Sequence, residues 1–350
     1  MKSRTWLASI VVLVGTVACG DSSKPAADPT DPAVSGLDNA GSAPGAAAAS
    51  APASAEVDKG QKQLEAGDKA GAKASFEAAL AKNPKDPEAN YYVGLLAEQA
   101  GDAKSAETHY QAALAAKPGL EPAAINLSAA YLDAARFDEA EKVISGALKS
   151  NAQSAPLTTN HALALAGKGD QAGARAAFEK AEKLSPNEPT LLLLQGQWLT
   201  RWKDPAAAKT KLLAAKKLAG DDPAQLASVG FELKNAGAFP ECVDTLNLAI
   251  DKLGKAPKGA GELRVLRGLC KLGAKDQAGA LADFTEAKKV EPTFAPAFFY
   301  LGGLHAQASK WADAEAAYAQ YLKLSPEGDL AAKAKERLAA VQAKRGGKKK

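Results

Sequence analysis

A series of small residues recurs at a fixed interval through this chain of 350 residues. Gly60, Gly94, Ser128, Ala162, Gly196 and Gly230 each lie 34 positions after the last, and the series resumes at Gly268 and Gly302. Twelve positions after each comes a second small residue: Ala72, Ala106, Ala140, Ala174, Ala208, Cys242, Ala280 and Ala314. Four further on stands a bulky apolar one: Phe76, Tyr110, Ile144, Phe178, Leu212, Leu246, Phe284 and Tyr318. Five of the eight units close on proline at one place, namely Pro84, Pro118, Pro186, Pro292 and Pro326. A fixed period of this size is the mark of stacked supersecondary units and overrides any reading by domain length.

Each unit divides into two amphipathic stretches of about a dozen residues. The turn between them reads Ala66-Gly-Asp, Ala100-Gly-Asp or Lys168-Gly-Asp. Glycine supplies the left-handed residue that ends a helix, and the aspartate after it caps the next. Small residues at the eighth and twentieth places let paired helices approach, and the bulky twenty-fourth fills the space between them. Proline lies beyond the second helix, which cannot continue through it. Alanine is abundant and aromatics make up only 6% of the chain, which favours helix over sheet. The expected fold is all-α: an α-solenoid of about eight helix-turn-helix units, since no unit buries its own face alone.

These columns resemble the tetratricopeptide repeat (TPR). The resemblance covers residues 53–328, in units 53–86, 87–120, 121–154, 155–188, 189–222, 223–256, 261–294 and 295–328. Between the sixth and seventh the frame slips by four through Gly254–Gly261, read as an insertion, a contact loop or a change of pitch. After the last unit, Leu330, Ala334, Leu338 and Val341 form one apolar stripe, which makes 329–344 a capping helix and leaves 345–350 as a basic tail. The resemblance also implies that the first helices of successive units line a concave groove. Its fifth place holds Tyr91, Ile125, Leu193, Val265 and Phe299, and its ninth holds Leu95, Leu163, Phe231 and Leu269. Asn126 and Asn160 share the sixth place and are similar to an asparagine ladder that grips peptide backbones. Two readings of this apolar set stand: a slot for a peptide with apolar anchors, or side chains buried against one another.

The N-terminus has Lys2 and Arg4, then an apolar run of 13 residues from Trp6 to Ala18, then Cys19. That is the layout of a secretory signal, and the run is too short to span a bilayer. The small residue before cysteine resembles a bacterial lipoprotein processing site, which implies a signal peptide over 1–18, cleavage before Cys19 and acylation there. Residues 19–52 are rich in Ala, Pro, Ser and Gly and read as a disordered tether.

Catalytic chemistry finds little material. The three histidines, His109, His161 and His305, are scattered, and no Cys-x-x-Cys or His-x-x-x-His pair occurs. A net charge of +4, concentrated in the Lys344–Lys350 end, is too small for an electrostatic nucleic-acid binder. Cys242 takes a small-residue place, as alanine would, and Cys270 lies in the next unit's first helix. Both a disulfide and two buried thiols are open to them. The expectation is therefore a non-enzyme with no cofactor, metal site, nucleic acid or small-molecule substrate. It would bind protein or peptide partners while lipid-anchored in the bacterial envelope, at the outer membrane facing the periplasm. Narrower versions are an assembly factor for a secretin or pilus, similar to pilotins, and a non-catalytic subunit of a polysaccharide machinery.

Overall fold

The computed structural model describes residues 55–254 and 259–347. The segments read as a signal peptide and a tether, Cys19 among them, residues 255–258 of the Gly254–Gly261 turn and the last three lysines lie outside the described residues. Those described form seventeen α-helices. The chain divides into two compact units, the first ending at Leu184 and the second beginning at Ser185.

In the first unit, α1 (Ala55–Glu65) to α8 (Gln171–Leu184) make four consecutive helix pairs. The first helices of the later pairs are α3 (Pro87–Gln99), α5 (Glu121–Asp133) and α7 (Ala155–Lys168); their partners are α4 (Ala103–Ala116), α6 (Phe137–Leu148) and α8. The second unit has four more pairs. Its first helices are α9 (Pro189–Arg201), α11 (Pro223–Asn235), α13 (Ala260–Gly273) and α15 (Ala295–Gln307). Their partners are α10 (Pro205–Ala219), α12 (Phe239–Leu253), α14 (Gln277–Val290) and α16 (Trp311–Leu324), and α17 (Ala331–Gly347) closes the unit.

The eighth and twenty-fourth places meet as the spacing predicts. A Cβ built on Gly60, Gly94, Gly196, Gly230, Gly268 or Gly302 would fall 2.4 to 2.9 Å from Phe76, Tyr110, Leu212, Leu246, Phe284 or Tyr318 respectively. Real Cβ atoms do not come so close, so the smallness of the first helix is what admits the large side chain of the second. Each of those large side chains is fully buried, contributing roughly 1.5–3 kcal/mol apiece. A second pairing links neighbouring units of the repeat: Phe137 sits on Gly167 and Phe239 on Gly273, each 2.3 Å from the position of an added Cβ.

The turn within each pair is left-handed in all eight units. Glycine fills it at Gly67, Gly101, Gly169 and Gly237, whereas Ala135, Lys203, Lys275 and Ser309 adopt the same positive φ without being glycine. Where aspartate follows, it caps the second helix: Asp68, Asp102, Asp170, Asp204 and Asp276 each accept from a backbone N–H three residues on, at 2.8 to 3.3 Å.

The cysteines, left open by the sequence, are joined. Cys242 on α12 and Cys270 on α13 form a disulfide with Cα atoms 6.1 Å apart, both residues wholly buried. At the C-terminal end, Ala334 and Val341 of α17 are buried, and Leu330 and Leu338 pack beside Phe299, Tyr318 and Tyr321. The helix runs to Gly347, and Arg345 pairs with Glu315, so part of the basic tail is helical and bound to α16.

Candidate protein-interaction site

The residues assigned to the groove separate into two classes. Tyr91, Leu95, Ile125, Asn126, Phe231 and Leu269 are half-buried. Asn160, Leu163, Leu193, Val265 and Phe299 are buried. Phe299 is the clearest case of the second class. Its ring meets Tyr300, Tyr318 and Tyr321 edge-on, and the guanidinium of Arg337 from α17 lies 5.0 Å from its centre.

The asparagines hold their own fold. Asn160 Nδ2 donates to Ser128 Oγ at 2.9 Å and to the Ile125 carbonyl at 3.2 Å, tying α7 to α5. Asn126 Nδ2 donates to the Tyr110 hydroxyl at 3.0 Å.

That hydroxyl organises the face of the first unit. Tyr110 stands on α4 with its ring against Gly94, and its O–H donates to Glu98 Oε2 of α3 at 2.5 Å. Accepting also from Asn126 of α5, it joins the exposed edges of two first helices. Burial, then the hydrogen bond to Glu98, pushes its phenol far above the ordinary tyrosine range. Tyr91 lies beside it, ring centres 6.1 Å apart, and burial pushes that phenol up to about 12. One turn past Leu95 comes Glu98, and two turns past Asn126 comes Asp133, so carboxylates end both apolar stripes. The packed surroundings of Asp133, and then the charge of Glu98, push its carboxyl up to about 6, although the side chain reaches solvent.

The second unit presents other chemistry on its first helices. Glu232 of α11 is buried and accepts from Gln197 Nε2 at 2.9 Å and Asn235 Nδ2 at 3.3 Å; burial holds its carboxyl above the usual range. Around it, Arg201 lies over the Trp198 ring at 4.7 Å and Lys234 over Phe231 at 4.5 Å. On α13, Arg267 and Lys271 both bind the buried Asp283 of α14, at 3.0 Å through Arg267 Nε and at 2.9 Å through Lys271 Nζ. That trio is an internal ion cluster spanning one helix pair.

Two of the histidines sit in packed surroundings. His109 Nδ1 lies 3.0 Å from Asn90 Oδ1, and burial lowers the pKa of both His109 and His161. Among the described residues no group of three or more His, Cys, Asp or Glu could hold a metal ion. No helix among them is long and apolar enough to cross a membrane.

Sequence reasoning missed Glu98, Asp133, Arg201 and Glu232. Their signal was available in the last turns of the first helices, where Glu98, Asp133 and Glu232 stand on α3, α5 and α11 and Arg201 on α9.

A family model described as tetratricopeptide repeat matches residues 57–121 and 267–329, and a second model of the same description matches 97–158. The chain is a tetratricopeptide repeat protein. Among solved structures, this TPR chain is similar to yeast Tom70, with a TM-score of 0.50 and 16% identity over 87% of this chain and 67% of that one. It is similar to a chain of the APC/C hetero-tetramer Cut9–Hcn1, with a TM-score of 0.47 and 15% identity over 79% of its length, and it spans only 55% of that chain. PilF of Pseudomonas aeruginosa aligns with a TM-score of 0.47 and 21% identity, over 57% of this chain and 89% of that one. At 16% identity the likeness to Tom70 shows the fold alone. No curated protein matches the chain in sequence. The TPR fold is generally a non-catalytic scaffold for protein interactions.

Proposed function

We propose that this TPR protein is a membrane-tethered scaffold of the bacterial cell envelope, which captures protein partners on the first-helix faces of its repeats. The observation that carries this reading is the incomplete burial of Tyr91, Leu95, Ile125, Phe231 and Leu269. Their neighbours in the same columns are packed away, whereas these remain in reach of an apolar anchor from a partner. The buried Cys242–Cys270 disulfide supports an oxidising compartment, since such bonds persist outside the reducing cytosol. The lipoprotein-type sequence around Cys19 supports the tether, and acyl anchoring raises the local concentration of the scaffold so that weak contacts suffice.

A photo-crosslinking residue at position 231, read by mass spectrometry in cells, tests the face. Capture of a discrete protein from that position and none from the exposed position 180 is expected. Equal labelling from both, or none from either, would remove the reading. The tether is tested separately, because Cys19→Ser should release the protein from the membrane fraction.

A further inference from the structure

Charge is distributed unevenly over the first helices of the first unit. Helices α3, α5 and α7 carry Glu88, Glu98, Glu121 and Asp133 against one cation, Lys168. Lys168 is already held by Asp138 at 2.8 Å and Glu141 at 2.6 Å, both on α6. The nearest arginine in sequence, Arg136, binds Glu107 at 2.8 Å and Glu139. Among the described residues, neither Glu98 nor Asp133 has a cationic partner in an ion pair, and Asp133 feels the charge of Glu98. Two like charges at the ends of neighbouring apolar stripes are destabilising to the fold by itself. Their placement becomes favourable when a cation is brought between them.

Resting on the reading of these faces as partner sites, we propose that the face formed by Tyr91, Leu95, Glu98, Ile125 and Asp133 takes a basic, apolar segment of a partner protein. An apolar side chain of that segment packs against Tyr91, Leu95 and Ile125, and a lysine or arginine beside it reaches Glu98 and Asp133. The Tyr110 hydroxyl, hydrogen-bonded to Glu98 of α3 and to Asn126 of α5, ties together the two helices that carry these carboxylates before the partner arrives. The raised carboxyl of Asp133 accords with this, since its packed surroundings and then the charge of Glu98 disfavour its ionised form until a cation arrives. The second unit makes the opposite provision. Arg201, Lys234 and Arg264 stand on its first helices, so the acidic character belongs to this face and not to the repeat as such.

The test uses the full chain and fluorescein-labelled peptides of alternating leucine with lysine, serine or glutamate, followed by anisotropy at low and high salt. The leucine–lysine peptide should bind in a salt-sensitive manner. The Glu98→Gln/Asp133→Asn double variant should weaken it by about tenfold while leaving the leucine–serine peptide unchanged. Ile125→Glu, with helicity checked by circular dichroism, should weaken the leucine–serine peptide. Binding of the serine or glutamate peptide as tight as that of lysine, still lost in Ile125→Glu, overturns the charge assignment and keeps the face as a binding site. Binding of none overturns both. Tighter capture of a peptide copying residues 344–350 than of the leucine–lysine probe would overturn the assignment to a partner and point to a second copy of this chain.

Discussion

At the scale of single residues, the repeat is enforced by two kinds of position. One is steric, where Gly196 or Gly230 leaves no space for a methyl group beneath Leu212 or Leu246. The other is conformational. The left-handed turn is shared by eight residues, four of which are not glycine and hold the strain that an L side chain incurs there. Lys275→Gly should therefore stabilise the second unit by about 1 kcal/mol, seen as a higher midpoint in urea, because Asp276 already caps the helix that follows. Asp133 offers a test with a definite sign. A carboxyl whose folded pKa is raised favours folding while protonated, and that advantage is lost as pH rises to about 6. Asp133→Asn should thus raise the melting temperature at pH 8 but hardly at pH 3. In the unaltered protein, affinity for the leucine–lysine peptide should climb as pH passes through about 6, where an ordinary aspartate would have finished ionising. Residues of the first kind could be read from spacing alone. The link from Tyr110 to Glu98 and Asn126 could not, because the bulky place told only that a large ring is buried there. Its hydroxyl matters because three helices bring their polar groups to one point.

At the scale of helices, register follows from columns of residue type, whereas exposure depends on what lies alongside. Leu95 and Leu163 occupy equivalent places, yet the first is half-buried and the second buried. The difference lies in their neighbours, since Asn160 and Ser128 draw α7 against α5 by a hydrogen bond between the helices. A sequence pattern that treats each unit alike cannot express such a contact. The capping helix is a further case. Its apolar stripe was legible, but not that Arg337 would cover the ring of Phe299. Ala334→Asp, which sets a charge into a wholly buried site of α17, should cost about 3 kcal/mol or more. Hydrogen exchange should then show α15 and α16 opening while the amides of α1 to α8 keep their protection.

For the whole molecule, stability in a repeat protein is close to a sum of terms from each unit and its neighbours. The Cys242–Cys270 bond alters that sum at one junction, since it joins the sixth helix pair to the seventh on either side of the frame slip. Whether two thiols so far apart in sequence would meet depended on a spacing that only the folded backbone supplies. Chain-entropy reasoning for a loop of 28 residues gives the bond about 3.5 kcal/mol. The Cys242→Ala/Cys270→Ala variant should lower the unfolding free energy of the second unit by about that amount, read from urea titration, and leave the first unchanged.

The same bond also sets a limit on length. Pulled from its ends, a chain of stacked helix pairs lengthens as each pair gives way, but the stretch between Cys242 and Cys270 stays out of the line of force. With 28 residues shunted in this way, roughly 95 Å of extension is withheld until the sulfurs part. Single-molecule stretching should record that missing length under oxidising conditions and its return in reductant. A scaffold built in this manner would pay out slack under load in two instalments, the second released by chemistry and not by force.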